Sequence, residues 1–132
     1  MSSNGKFRIL FVCMGNICRS PTAEGVMRKL IDDAGLQGEV EVDSAGTHEY
    51  HIGASPDGRS QATAKARGYD LSGLRARQVN DRDFENYDLL LAMDLDNLML
   101  LQERCPAEHQ SKLRLLMSYA REIKAPVVPD PI

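Results

Sequence analysis

The amino-acid sequence predicts an α/β domain in which a parallel β-sheet is covered by helices on both faces. Three observations support this fold class. The segment Lys6–Val12 is a short apolar run typical of a buried strand. A segment with apolar residues at helical spacing follows it, and further runs of both kinds alternate along the chain. Strands that alternate with helices in this way favour a parallel sheet.

The clearest single element is a helix that begins at Ser20-Pro21 and ends at Gly35. A proline in the first turn of a helix loses no needed hydrogen bond, and glycine is common just after the last turn. Six apolar residues between these ends recur at helical spacing and predict one continuous buried face: Ala23, Val26, Met27, Leu30, Ile31 and Ala34.

Shorter patterns predict the remaining elements. The alternating segment Glu39–Asp43 indicates a second strand, and Asp88–Met93 indicates a third, buried strand. Further helices are expected over Pro56–Arg67, Asn80–Phe84 and Leu95–Arg104. The run Lys112–Met117 fits a fourth strand or the end of a helix, because a short apolar run does not decide between them.

The length and charge of the chain exclude several classes of protein. Its 132 residues are expected to form one domain, residues 1–132. Sixteen Lys and Arg against nineteen Asp and Glu give a net charge of −3, which argues against binding to nucleic acid or to an anionic membrane. No apolar stretch is long enough for a secretory signal or a membrane span, so a cytoplasmic protein is expected.

The stretch with the clearest chemical meaning is Val12–Pro21, in which Arg19 follows Cys13 by six positions. It lies beyond the carboxyl end of a predicted strand, where sheets of this kind bind ligands. A tight loop there presents backbone N–H groups to an anion, and the helix N-terminus adds positive partial charge. The phosphate-binding loop is expected to comprise Met14, Gly15, Asn16, Ile17, Cys18, Arg19 and Ser20.

The residues of this loop suit phosphoryl transfer. A thiol at a helix N-terminus beside a cation ionises readily, so Cys13 is expected to be a thiolate nucleophile. The planar guanidinium of Arg19 can hold two phosphate oxygens at once. Ser20 is expected to donate a hydrogen bond to the Cys13 sulfur and improve it as a leaving group. Positioning and charge stabilisation supply most of the catalysis, so no metal or other cofactor is expected.

The candidate proton donor is Asp130, which stands between two prolines, Pro129 and Pro131. Flanking prolines stiffen a loop and favour accurate placement of the carboxyl group. This group would give a proton to the phenolate leaving group and later take one from the attacking water. Nineteen acidic residues compete for the role, so the residues alone leave this assignment open.

Together these features resemble the low-molecular-weight protein tyrosine phosphatase family. The motif Cys-x5-Arg-Ser-Pro at Cys13–Pro21 carries the resemblance, together with further segments at Asp43–Thr47, Arg75–Gln78, Leu91–Asp94 and Asp130-Pro131. The resemblance implies a four-stranded parallel sheet in a three-layer fold. It also implies hydrolysis of phosphotyrosine and aryl phosphates through a phosphocysteine, with Cys13 as nucleophile, Arg19 as phosphate binder and Asp130 as general acid and base.

The resemblance implies supporting roles for other residues. Three polar residues would hold the loop in a hydrogen-bond network: Asn16, Ser20 and Ser44. Tyr50 would line the entrance against the substrate ring. Cys18 would lie close enough to Cys13 to form a reversible disulfide on oxidation. From the residues alone, Cys18 fits a packing thiol equally well.

Two departures from the family pattern stand out. Leu74 occupies a position where many members carry His, so water or another group would have to complete the network. The chain stops at Ile132, where the family usually continues into an aromatic pair and a final helix, so a domain without that helix is expected.

The resemblance also implies a partner, which is a phosphotyrosine protein and in bacteria a tyrosine kinase. The chain is expected to be a monomer or weak dimer.

Three other functions remain open. An arsenate reductase of the same fold needs further downstream cysteines, but only Cys105 follows the loop. A protein arginine phosphatase tends to carry Thr where this loop has Ile17, and the apolar residue favours phosphotyrosine. A catalytically weak phosphate-binding module would need neither the Cys13 thiolate nor the Asp130 carboxyl.

Three residues outside the loop are expected to have structural roles. Cys105 follows the apolar face of a predicted helix, where a cysteine is usually a buried hydrophobic residue. Asp94 fits the N-cap of the same helix. Arg77 fits a surface ion pair, for which about 0 to 1 kcal/mol is typical.

Overall fold

A computed structural model of the chain describes residues 6–14, 19–47, 53, 57–69, 71–74 and 76–116, with Arg19 and Pro21 described by their backbone only. The described residues form, in chain order, β1 (Phe7–Cys13), α1 (Arg19–Asp33), β2 (Val40–Gly46), α2 (Gly58–Ala66), α3 (Asp81–Asn86), β3 (Leu89–Ala92), α4 (Leu95–Arg104), a 3₁₀ helix (Ala107–Lys112) and β4 (Leu113–Leu115). Within these ranges, no helix is long and apolar enough to cross a membrane.

The four strands form one parallel sheet in the order β2-β1-β3-β4. The segment Lys112–Met117, for which the sequence allowed either a strand or a helix end, contains strand β4. Leu113 of this strand pairs with Leu90 of β3. Strand β1 has a neighbour on each side, so its last residue lies at the centre of the carboxyl edge. Cys13 pairs there with Gly46 of β2. Strand β2 therefore runs three residues beyond its predicted end and includes Ser44.

The side chains of β1 alternate between two hydrophobic cores, one on each face of the sheet. Leu10 and Val12 lie in a core shared with α3 and α4. Ile9, Phe11 and Cys13 lie in the core on the opposite face, which α1 covers. The predicted α/β fold, with helices on both faces of a parallel sheet, is confirmed.

The apolar stripe of α1 is less buried than predicted. Ile31 is buried, and Ala23 and Met27 pack against the core beneath α1. The prediction is wrong for Leu30, which is 54% exposed, and for Ala34, which is exposed. Ala34 lies one residue beyond the end of α1. Leu30 borders an open apolar groove of about 260 Å³ that is lined mainly by α1 residues and also by Phe11 and Leu116.

Helix ends follow local sequence signals. Gly35, two residues after the end of α1, takes a positive φ of 70°, a conformation that favours glycine. The Asp94 side chain accepts a hydrogen bond from the Asn97 N–H, so the predicted N-cap of α4 is confirmed. Cys105 is buried in the core on the α3 and α4 face, also as predicted.

Candidate active site

The carboxyl edge of β1 places Cys13 next to the start of α1. Cys13 is the last residue of the strand and is 3% exposed. Its backbone carbonyl accepts a hydrogen bond from the Thr47 N–H at 2.9 Å, which ties it to the end of β2. Its sulfur lies 2.9 Å from the Oγ of Ser20, a fully buried residue in the first turn of α1. A hydroxyl at this distance can donate to a thiolate.

The structure describes only part of the predicted site. Backbone coordinates place Arg19 at the first position of α1. Met14 follows β1 and is half-exposed. Ser44 is buried on β2, on the face that α1 covers. Six predicted site residues lie outside the described residues: Gly15, Asn16, Ile17, Cys18, Tyr50 and Asp130.

A buried acidic side chain that was not predicted from the sequence lies beside this edge. Glu24 of α1 is 2% exposed and accepts a hydrogen bond from Ser44 Oγ on its Oε1 atom at 2.6 Å. Its Oε2 accepts from Arg28 Nη2 at 2.6 Å. The sequence does contain one indication of this position. Glu24 follows Ser20 by four residues, so both residues lie on one face of the helix.

The environment of Glu24 disfavours its charge. Burial is the main cause and raises the pKa of the carboxyl group above its usual value, and nearby Asp43 adds to the increase. The hydrogen bond from Ser44 and the charge of Arg28 oppose this increase without cancelling it. The site therefore holds an acid whose proton affinity is higher than that of an exposed glutamate.

A second charged cluster holds the segment next to the end of β2. Arg77 donates two hydrogen bonds to the Asp83 carboxylate, at 3.0 and 3.2 Å, and its Nη2 lies 3.2 Å from Asp43 Oδ2. The backbone N–H of Gly46 donates to the Arg77 carbonyl at 2.7 Å. This geometry anchors the carboxyl end of β2, the strand that pairs with Cys13.

The interpretation of Arg77 as a surface ion pair is wrong, because its partner Asp83 is only 5% exposed. Burial disfavours the charged guanidinium, but Asp83 and Asp43 outweigh it and raise the pKa of Arg77. Tyr87 completes the cluster by donating to Asp43 Oδ2 at 3.0 Å. Burial and the Asp43 charge raise the pKa of Tyr87 to about 12.

The family model of the low molecular weight phosphotyrosine protein phosphatases matches residues 8–132 of the chain. The chain belongs to this family. Membership confirms the predicted enzyme class, a low molecular weight protein tyrosine phosphatase, and it agrees with the four-stranded parallel sheet described above.

Individual relatives support the same assignment. The low molecular weight protein-tyrosine-phosphatase YfkJ of Bacillus subtilis is 38% identical over 123 residues, which are 93% of this chain and 79% of the relative. The crystal structure of a protein tyrosine phosphatase from Entamoeba histolytica matches with a TM-score of 0.92 at 43% identity, and covers 96% of this chain and 80% of that one. The Drosophila arginine phosphatase matches with a TM-score of 0.81 at 33% identity, over 93% and 79% of the two chains.

Proposed function

We propose that the chain hydrolyses protein phosphotyrosine, and aryl phosphates, through a phosphocysteine formed on Cys13. The observation that carries this proposal is the 2.9 Å contact between Cys13 Sγ and Ser20 Oγ. This contact joins the end of a central strand to the first turn of α1, and the N-terminus of a helix favours a bound anion. A buried sulfur with a hydroxyl partner at an anion-binding helix end is suited to nucleophilic attack on a phosphate ester.

In the first step, the Cys13 thiolate attacks phosphorus. The sulfur–phosphorus bond forms while the bond from phosphorus to the phenolic oxygen breaks. Arg19 would hold the equatorial phosphate oxygens, and Asp130 would protonate the leaving phenolate. The backbone position of Arg19, at the start of α1, is compatible with this role.

In the second step, water attacks the phosphocysteine. Asp130, now ionised, would accept a proton from this water as the oxygen–phosphorus bond forms. The sulfur–phosphorus bond breaks and the thiolate leaves as inorganic phosphate is released. Ser20 donates to the departing sulfur and stabilises its charge, so the hydroxyl assists the step in which Cys13 is the leaving group.

The proposed substrate is a phosphotyrosine residue of a protein, and in a bacterium this protein would be a tyrosine kinase. The proposed active form is a monomer or weak dimer. The fold alone does not select the phosphorylated residue, because both tyrosine and arginine phosphatases match this chain. The apolar Ile17 in the loop supports phosphotyrosine. The cytoplasmic location stays a prediction.

Hydrolysis of an aryl phosphate without added metal tests the chemistry. The chain is compared with Cys13→Ser and Asp130→Ala, and with Cys105→Ala as a control for loss of a buried thiol. We expect Cys13→Ser to abolish turnover, Asp130→Ala to lower it strongly, and Cys105→Ala to retain it. Turnover that survives in Cys13→Ser would refute the mechanism. Binding of phosphate without any turnover would identify a binding module.

A competition between peptides tests the substrate. The kcat/KM for a phosphotyrosine peptide is compared with that for a phosphoarginine peptide, in the wild type and in Ile17→Thr. We expect the wild type to prefer phosphotyrosine and Ile17→Thr to shift the ratio toward phosphoarginine. A wild-type preference for phosphoarginine would instead assign the chain as an arginine phosphatase.

A further inference from the structure

Glu24 is a buried acid to which the proposed mechanism gives no task. It lies in α1 one helical turn after Ser20, and both side chains are almost completely shielded from solvent, at 2% and 0% exposure. Residues four apart lie on the same face of a helix, so both are directed toward the sheet. Glu24 therefore occupies the same inner face of α1 as the residue that contacts Cys13 Sγ.

Two hydrogen bonds fix the Glu24 side chain. Ser44 donates to Oε1 and Arg28 donates to Oε2, both at 2.6 Å. Arg28 Nη2 also donates to the backbone carbonyl of Val42 at 3.1 Å. Val42 and Ser44 are successive inward-facing positions of β2. The carboxylate and its arginine thus join α1 to β2 at two neighbouring points.

The position of α1 decides the contact between Ser20 and Cys13. Ser20 belongs to the helix, whereas Cys13 belongs to the strand beside β2. A shift of α1 along or around its axis would therefore change the distance from Ser20 Oγ to Sγ. Displacements of about 1 Å in a catalytic site can cost on the order of 100-fold in rate.

We propose that Glu24 is a positioning residue, which ties α1 to β2 through Ser44 and Arg28 and thereby holds the Ser20 hydroxyl against the Cys13 sulfur. This proposal rests on the proposed phosphocysteine mechanism. Both carboxyl oxygens of Glu24 are needed as hydrogen-bond acceptors. One accepts from Ser44 of β2, and the other accepts from Arg28, one turn later in α1. A buried acid is costly for stability, and such costs are typical of functional sites.

The test compares Glu24→Ala and Glu24→Gln with the wild type. Asp33→Asn serves as the control, because Asp33 is an exposed acid at the end of the same helix. Three quantities are measured: kcat and KM for an aryl phosphate, the pH profile of Cys13 alkylation by iodoacetamide, and the urea concentration at half unfolding.

We expect Glu24→Ala to lower kcat by roughly 10- to 100-fold, the range for losing a hydrogen bond to a charged group, with little change in KM. Alkylation of Cys13 should move to higher pH, because the thiolate loses its hydroxyl donor. Glu24→Gln retains an acceptor for Ser44 but sets an amide N–H₂ group against the Arg28 donor, so it should recover part of both properties. Asp33→Asn should match the wild type.

A merely structural role would lower the urea midpoint and leave kcat and the alkylation profile of the folded protein unchanged. That result would overturn the proposal. The proposal would also be overturned if Glu24→Gln lost as much kcat and Cys13 reactivity as Glu24→Ala. If Glu24→Ala does not fold, Ser44→Ala removes the same hydrogen bond with a smaller change and should shift kcat and alkylation in the same direction. Wild-type rates in Ser44→Ala would contradict the proposal.

The alkylation profile needs no turnover, so it judges the positioning role even if catalysis fails. Cys13→Ser is included to judge the proposed function separately. Turnover that persists in Cys13→Ser contradicts the phosphocysteine mechanism, whereas a Glu24→Ala protein with wild-type kcat and alkylation contradicts only the role of Glu24.

Discussion

Ser20 and Cys13 are seven residues apart in the chain, yet their Oγ and Sγ atoms lie 2.9 Å apart at the buried carboxyl edge of the sheet. This proximity arises because a central strand ends where α1 begins. In the proposed mechanism, the hydroxyl would stabilise the negative charge on the sulfur when Cys13 leaves the phosphocysteine.

Replacement of Ser20 by Ala should therefore slow breakdown of the phosphocysteine. We expect kcat to fall by roughly 10- to 100-fold. Rapid mixing with an aryl phosphate should show a burst of phenol release followed by a slow steady state. Ser60→Ala, which removes a hydroxyl from a buried serine of α2, is the control and should show wild-type kinetics. If Ser20→Ala showed the same kinetics as the wild type, the Ser20 hydroxyl would have no catalytic role.

The Arg77 cluster should be important for stability. Arg77→Met leaves the Asp83 carboxylate buried without its bidentate partner. We expect a loss of about 3 kcal/mol, the lower end for a broken buried pair, because Arg77 is itself partly exposed. Urea unfolding measures the loss. Lys29→Met removes the exposed pair with Asp33 and should cost less than about 0.5 kcal/mol. Similar losses in both variants would contradict the importance of burial.

Glu24 should give the protein a distinctive pH dependence of stability. Burial raises its native pKa above the ordinary value of 4.5, so the native state holds a proton that the unfolded chain has lost. The stability that this proton provides is present below pH 4.5 and declines as pH rises through the native pKa. As the pH rises through the native pKa of Glu24, the free energy of unfolding of the wild type should fall relative to that of Glu24→Gln. Parallel pH curves from urea unfolding would contradict this expectation.

The contact of α1 with the loop after α2 should make Gly25 sensitive to substitution. A Cβ at Gly25 would overlap Cδ2 of Leu71, which is 1% exposed and has little freedom to move. The cost of this overlap, about 1 to 3 kcal/mol, exceeds the gain of about 1 kcal/mol in helix propensity. Gly58→Ala, at the first position of α2, has no such neighbour among the described residues and should be neutral or stabilising by up to about 1 kcal/mol. Thermal unfolding compares the two, and a stabilised Gly25→Ala would refute the overlap.

The sequence predicts the elements that have long periodic patterns or strong end signals. Strand β1 and helix α1 are examples, since an apolar run and a helical stripe are both visible in one sequence. Strand β4 was left open because three residues have no period of their own, and only pairing with β3 makes them a strand. The exposure of Leu30 was missed because an apolar stripe shows which residues share a face, not how much of that face is covered.

The contact between Cys13 and Ser20 could be predicted because the two residues are close in sequence, whereas most other predicted site residues lie outside the described residues. The spacing of Cys13, Arg19 and Ser20 suggested the phosphate-binding loop because strand and helix patterns flank it. The burial of Glu24 and of Asp83, the partner of Arg77, was not predicted, because charged residues on helices are usually exposed. Each cluster also includes a contact between residues that are far apart in the chain. Ser44 is 20 residues from Glu24, and Asp43 is 34 residues from Arg77. Such pairs form only when the sheet is assembled.

The most direct test of the central claim is to identify the phosphorylated residue during turnover. The enzyme is mixed with an aryl phosphate, quenched within the first turnovers and digested for mass spectrometry. We expect one added phosphoryl group on the peptide that contains Cys13, at higher occupancy in Ser20→Ala and absent in Cys13→Ser. A phosphoryl group on another residue, or full turnover without any phosphorylated Cys13, would contradict it.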